Sequence, residues 1–194
     1  ANDQTERVRD YLQRALAFDS DCARANIMCG NIALTKQDYS TASECYRRAE
    51  QQDPSLMPVM VEKLIESLLK QGDSAVLTSF IAELKTKEND YSIVNAAAEI
   101  IESLEGWAAA EQFIKDELLK RPTLKGLHKW AEIEMGKSSS KEKEKIRVIV
   151  DMLAKVIDKN PLFICKLCGF KGKDMHWQCP GCKSWSTVKP ISAI

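Results

Sequence analysis

Apolar and small residues recur at helical spacing through the first 160 positions, and the pattern they make returns every 34 residues. From Ala23 to Pro54 the chain carries Gly30 in one apolar stretch and a polar turn at Gln37-Asp38-Tyr39. Ala42, Tyr46 and Ala49 follow on a second stretch, closed by Asp53-Pro54. Small residues let two helix backbones approach, an aromatic fills the space beyond, and proline ends the second helix. Ala15 and Leu12 stand 34 positions before Ala49 and Tyr46, so residues 6–18 are expected to be the second helix of a truncated repeat. Ala110 and Pro122 stand 68 positions after Ala42 and Pro54, which predicts a full pair over 91–122 turning at Gly106-Trp107. Between them, 57–88 reads as a degenerate pair turning at Gly72-Asp73. A longer pair is expected from Thr123 to Asp158, with its turn at 136–140 and a close at Asn160-Pro161.

These spacings resemble the tetratricopeptide repeat, departing from it at Asn26, Cys29 and Ala33, where that family usually has Trp, Leu and Tyr. A generic helical bundle would share the apolar periodicity, but it would not need turn and proline signals at multiples of one length. One helix pair cannot bury its apolar face alone, so such pairs stack into a solenoid whose first helices line a concave surface. The resemblance places Arg24, Ile27, Asn31, Val61, Ile65, Asn95, Glu99 and Lys129 on that surface as candidate partner contacts. For Ile27, Val61 and Ile65 the alternative is core packing, and for the polar members simple solvation.

After Pro161 the helical period stops. Residues 161–194 gain Gly169, Gly172, Pro180, Gly181 and Pro190 among aromatic and β-branched residues, the signature of short strands and tight turns. Two Cys-x-x-Cys pairs, Cys165/Cys168 and Cys179/Cys182, are separated by the ten residues from Gly169 to Gln178. Each pair can wrap a turn around one ion with sulfurs at about 2.3 Å, and Gly169 suits such a turn because it tolerates positive φ. A segment this short has too little core to fold unaided, so metal binding of about 10–16 kcal/mol would supply its folding energy. Four thiolates suit zinc and a single iron alike. Disulfides and a thioredoxin-like redox pair compete with this reading, but the latter needs one motif at a βαβ helix start, which is not visible. His176 is expected to pack beside Trp177 rather than to bind metal. Cys22, Cys29 and Cys45 lack pairing spacing and read as small buried residues. The expected architecture is therefore mainly α, with a helical array over 1–160 and a rubredoxin-like or zinc-ribbon β domain over 161–194.

Charge and composition add exclusions. The 28 basic and 28 acidic residues cancel, so no overall field draws the chain to nucleic acid or an anionic membrane. Between Cys165 and Lys189, five lysines against Asp174 leave +4; a divalent ion with four thiolates brings −2, so the segment carries about +2, too little to argue for nucleic acid. No apolar run approaches the roughly 20 residues needed to span a bilayer. The chain starts at Ala1 directly before helical sequence, which suggests an excised piece of something longer. Long helical stretches without crosslinks set the seven cysteines apart from a secreted disulfide scaffold and favour a reducing compartment. No nucleophile–base set, phosphate-binding glycine loop or His-Glu-x-x-His helix appears, and two histidines leave little for acid–base chemistry. A non-enzyme is expected.

The order of repeats followed by Cys-x2-Cys-x10-Cys-x2-Cys, with Trp177-Gln-Cys-Pro-Gly-Cys182 and Trp185-Ser-Thr-Val-Lys-Pro-Ile191, resembles the lipopolysaccharide assembly protein B family of Gram-negative bacteria. That resemblance implies a rubredoxin-type metal domain beside tetratricopeptide repeats, with Cys165, Cys168, Cys179 and Cys182 as ligands. It implies a non-catalytic adaptor at the cytoplasmic face of the inner membrane, held there by an N-terminal helix absent from this sequence. The implied partners are proteins of lipopolysaccharide synthesis and a membrane-bound AAA protease that degrades the lipid A precursor deacetylase, and self-association into a homo-oligomer stays open. Two other readings stand beside it. One is electron transfer or redox sensing through a rubredoxin-like iron. The other is a zinc-ribbon nucleic-acid binder, since the knuckles also resemble those of a bacterial recombination ATPase whose P-loop is missing here.

Overall fold

A computed structural model describes residues 2–72, 74–86 and 91–191. The chain forms two compact units, Ala1–Lys87 and Glu88–Ile194. In the first, α1 (Asn2–Phe18), α2 (Ala23–Thr35), α3 (Tyr39–Gln52), α4 (Met57–Gln71) and α5 (Ser74–Thr86) follow one another, with a single 3-10 turn at Pro54–Leu56 between α3 and α4. The polar turn between α2 and α3 is built by its residues. Gln37 takes a left-handed φ of 61°, and the Asp38 carboxylate accepts a hydrogen bond from Thr41 N at 3.2 Å, satisfying one of the first amides of α3.

The 34-residue pattern maps onto this packing. Ala42, Tyr46 and Ala49 are fully buried, and the Tyr46 ring lies so close to Gly30 that a Cβ there would stand 2.6 Å from it. Leu12 of α1, the counterpart of Tyr46 one period earlier, is also buried. Asn26, where the repeat family has Trp, is buried too. Its amide donates to Gln52 Oε1 at 2.9 Å and Gln52 in turn donates to Ser20 O at 2.8 Å, so the polar group meets the requirement that buried donors be paired. Arg47 ties α3 to α5: its guanidinium pairs with Glu83 at 2.9 Å and lies over the Phe80 ring at 4.3 Å.

The second unit holds α6 (Tyr91–Glu105), α7 (Trp107–Lys120), α8 (Leu124–Lys137) and α9 (Ser140–Lys159), then a small sheet. Gly72 ends α4 at φ 71° and Gly106 separates α6 from α7 at φ 89°, backbone conformations that only glycine adopts freely. Asp73, the other half of the first of these turns, lies outside the described residues. The turn expected over 136–140 is shorter than its sequence suggests. Helix α8 runs through Gly136 to Lys137, and the Ser139 amide and hydroxyl both bond the Glu142 carboxylate, at 3.3 and 2.6 Å, to start α9. Those bonds, the hydroxyl's foremost, hold the Glu142 carboxyl below its ordinary range. No helix among the described residues is long and apolar enough to cross a membrane.

Candidate metal centre

Three short strands follow α9: β1 (Phe163–Cys165), β2 (Lys171–Gly172) and β3 (Val188–Pro190), in the order β2-β1-β3 with both pairings antiparallel. The sheet brings the two cysteine pairs together. Cys165 ends β1 opposite Val188 of β3, so the first pair is anchored in the sheet itself. Its turn closes with Cys165 N donating to Phe170 O at 2.7 Å and Gly169 N to Cys165 O at 3.0 Å, Gly169 taking φ 76°. The second pair repeats this pattern: Cys179 N donates to Ser184 O at 2.9 Å and Lys183 N to Cys179 O at 3.0 Å. Here Lys183 occupies the left-handed position with φ 61°. A non-glycine residue there bears strain, which the surrounding turn must hold.

The four sulfurs all lie within 4.8 Å of one another, with Cys165 and Cys182 at 3.8 Å and Cys168 and Cys179 at 3.6 Å. Sulfurs at about 2.3 Å from one ion in a tetrahedron stand about 3.8 Å apart, so the separations match a tetrathiolate site. A disulfide needs about 2.05 Å. Gly181 lies against this cluster, where a Cβ on it would make ordinary contact with Cys168 Sγ at 3.4 Å. Cys165 and Cys179 are buried with Val188, and Phe163, Phe170 and Met175 pack around them, while Cys168 is exposed. The protein thus holds one metal ion in a four-cysteine site.

Polar neighbours prepare the sulfurs for charge. Thr187 Oγ1 lies 3.3 Å from Cys165 Sγ, and this contact, followed by the Cys168 amide at 3.5 Å, draws the Cys165 thiol below its ordinary range. Ser184, through its hydroxyl and then its amide, does the same for Cys182. Cys168 moves the other way. The Phe170 amide favours its thiolate, but desolvation and the neighbouring sulfurs outweigh that and raise its pKa. Four thiolates this close cannot all ionise without a cation between them, which is what a bound divalent ion supplies. Once Cys165 is a thiolate, Thr187 is the donor in their contact. Replacing Thr187 by Val is therefore expected to speed metal release to a chelator by about tenfold, with Thr187→Ser close to wild type. A release rate unmoved by Thr187→Val would show the hydroxyl to be incidental.

Other expected positions sort themselves by burial. His176 is not among the clustered ligands; it packs edge-on to Phe170, with ring centroids 6.1 Å apart. Cys45 is buried and its thiol is pushed up to about 11 by burial and then by Cys29, which makes it unreactive, while Cys22 and Cys29 are half-buried. Of the candidate partner surface, Ile27, Val61 and Ile65 are 4%, 0% and 1% exposed, so they belong to the helix packing and offer nothing to a partner in this structure. Asn31 is half-buried and its side-chain oxygen accepts from both Tyr46 Oη at 2.9 Å and Lys63 Nζ at 2.8 Å. Arg24 is half-buried and Glu99 exposed. Asn95 and Lys129 meet at one cleft in the second unit. Thr187, Ser184 and Lys183 carry the metal site's support and have no spacing signature.

Residues 163–190 match the family described as the rubredoxin metal binding domain. The chain is similar along its whole length to lipopolysaccharide assembly protein B. It is 29% identical to the protein of that name from Escherichia coli (strain K12) over 195 residues, covering 100% of this chain and 50% of the relative. It is 26% identical to the Haemophilus influenzae protein of the same name over 190 residues, covering 95% of this chain and 47% of the relative. The chain therefore spans about half the length of the curated relatives it matches.

Proposed function

We propose that this chain is part of a non-catalytic adaptor in lipopolysaccharide assembly, one that works at the cytoplasmic face of the inner membrane. The observation that carries this reading is the similarity to lipopolysaccharide assembly protein B over the entire chain, joined to the four-cysteine cluster. Within it, the helix pairs over 1–160 present partner contacts, among them Arg24, Asn31, Asn95, Glu99 and Lys129. The segment 161–194 is a stiff block set by its metal, through Cys165, Cys168, Cys179 and Cys182. The partners are proteins of lipopolysaccharide synthesis, foremost the deacetylase that commits lipid A precursor, and the membrane-bound AAA protease that degrades it.

The reading is tested in cells that depend on the full-length protein. The intact protein is expected to restore a short deacetylase half-life and a normal lipopolysaccharide level. The Cys179→Ser/Cys182→Ser variant is expected to leave the deacetylase long-lived and the lipopolysaccharide raised. An unchanged half-life and level in that variant would overturn the adaptor reading.

A further inference from the structure

A cleft of about 520 Å³ opens where α6, α8 and α9 meet the start of the metal-binding segment, away from the sulfur cluster. Lys125, Lys129 and Lys173 line it against Glu132 and Asp158, three positive groups against two negative ones. Both acids are already engaged. Asp158 pairs with Lys173 at 2.6 Å, and Glu132 lies 3.9 Å from His128 Nδ1 and 4.0 Å from Lys129 Nζ. Lys125 is half-buried, and among the described residues it has no ion-pair partner. It sits four residues before Lys129 on the same helix, where like charges repel, and in the first turn of α8, where the helix dipole favours an anion instead. The free cation, its like-charged neighbour and the dipole all favour an incoming negative group.

The remaining walls say what kind. Ala154, Ile157 and Leu162 are apolar. Asn95 Oδ1 accepts from Tyr91 Oη at 3.4 Å and Asn160 Nδ2 donates to Val156 O at 2.9 Å, which leaves the Asn95 amide nitrogen as a donor and the Asn160 oxygen as an acceptor. A small inorganic anion would use the lysines and leave the apolar wall wet. A peptide that sets an acidic side chain next to an aliphatic one would use the lysines, the apolar wall and the amides.

We propose that this cleft docks an acidic segment of a protein partner, with a carboxylate on Lys125 and Lys129 and an adjoining aliphatic side chain against Ile157 and Leu162. The proposal rests on the adaptor reading for the existence of that partner. The opposed charges steer and orient the segment, so binding weakens as salt rises.

The test uses the purified chain and a fluorescein-labelled peptide of alternating glutamate and leucine, read by polarisation. The wild-type chain is expected to bind it, and Lys125→Glu/Lys129→Glu to weaken binding by about tenfold or more. Glutamate at position 125 falls in the first turn of a helix, where it is tolerated, and unchanged metal content reports that the adjoining segment still folds. Should the double variant fail to fold, Lys125→Glu and Lys125→Gln carry the comparison, the first expected to bind more weakly than the second. Equal binding by the variants, equal binding of a lysine–leucine peptide, or complete displacement by inorganic phosphate would each overturn the proposal, the last by showing a small-anion site. The two readings can fail separately. Failure of the wild-type chain to bind the peptide, with deacetylase control intact in cells, sinks the cleft alone, and a binding cleft in a protein without effect on lipopolysaccharide sinks the adaptor alone.

Discussion

Serine at positions 179 and 182 is expected to abolish metal binding and unfold residues 162–191 while α6 to α9 keep their helical signal. The reason is the size of what is left. The strands are two or three residues long, and the buried core of the segment is Cys165, Cys179 and Val188, two of which are themselves ligands. Burying so few side chains yields a few kcal/mol at about 1.5–3 kcal/mol each, too little for the segment to fold unaided. Metal binding of about 10–16 kcal/mol is the largest single contribution to its folding, and two serines remove half the thiolates on which it depends. Metal analysis should show stoichiometry near zero, and amide resonances of the segment should collapse to unfolded positions. A chelator should do the same to the wild-type chain, reversibly on adding zinc or iron. A metal-free chain still ordered beyond Pro161 would refute the argument.

How far the sequence spoke for itself differs between the two parts of the chain. The sulfur cluster was legible because a metal needs particular atoms at particular spacings, and two Cys-x-x-Cys turns leave few other solutions. Its support was not. Thr187 reaches Cys165 only because β3 pairs with β1, and Lys183 takes a left-handed φ that its identity argues against. Both are consequences of tertiary pairing, to which local spacing is blind. In the helical part, the period picked out Ala42, Tyr46, Ala49 and Ala110 as repeat positions where helices meet, and all four are buried. The resemblance to the repeat family put Ile27, Val61 and Ile65 among the candidate surface contacts, with core packing as the alternative, and they are core. A repeat length fixes where each helix begins and ends, but not its rotation by the few tens of degrees that separate an interface from an exposed flank. Asn26 looked like a flaw in the pattern and is a satisfied buried amide, because Gln52, 26 residues on, supplies the acceptor.

Truncating Tyr46 to Ala is expected to be the most costly single change in the unit Ala1–Lys87. The ring is fully buried, packs directly on Gly30, and its hydroxyl donates to Asn31 Oδ1 at 2.9 Å. Removing a buried aromatic costs about 3–5 kcal/mol through lost transfer energy and the cavity left behind. Tyr46→Phe isolates the hydroxyl; Asn31 keeps its bond from Lys63, so the loss should be only about 1 kcal/mol. Gly30→Val should also destabilise, by about 1–3 kcal/mol, because the added carbons overlap the ring and force it aside. The two sites touch, so their effects should not add. With the ring gone, a valine side chain at position 30 has nothing to overlap, and the Gly30→Val/Tyr46→Ala double variant should cost less than the sum of the singles by about 1 kcal/mol or more. Since the chain has two units, the measurement is hydrogen exchange of amides in α2, α3 and α4 rather than one global melting point. Additive losses would mean that Gly30 and Tyr46 do not meet, and the small-residue logic of the repeat would fail at the position where it is most explicit.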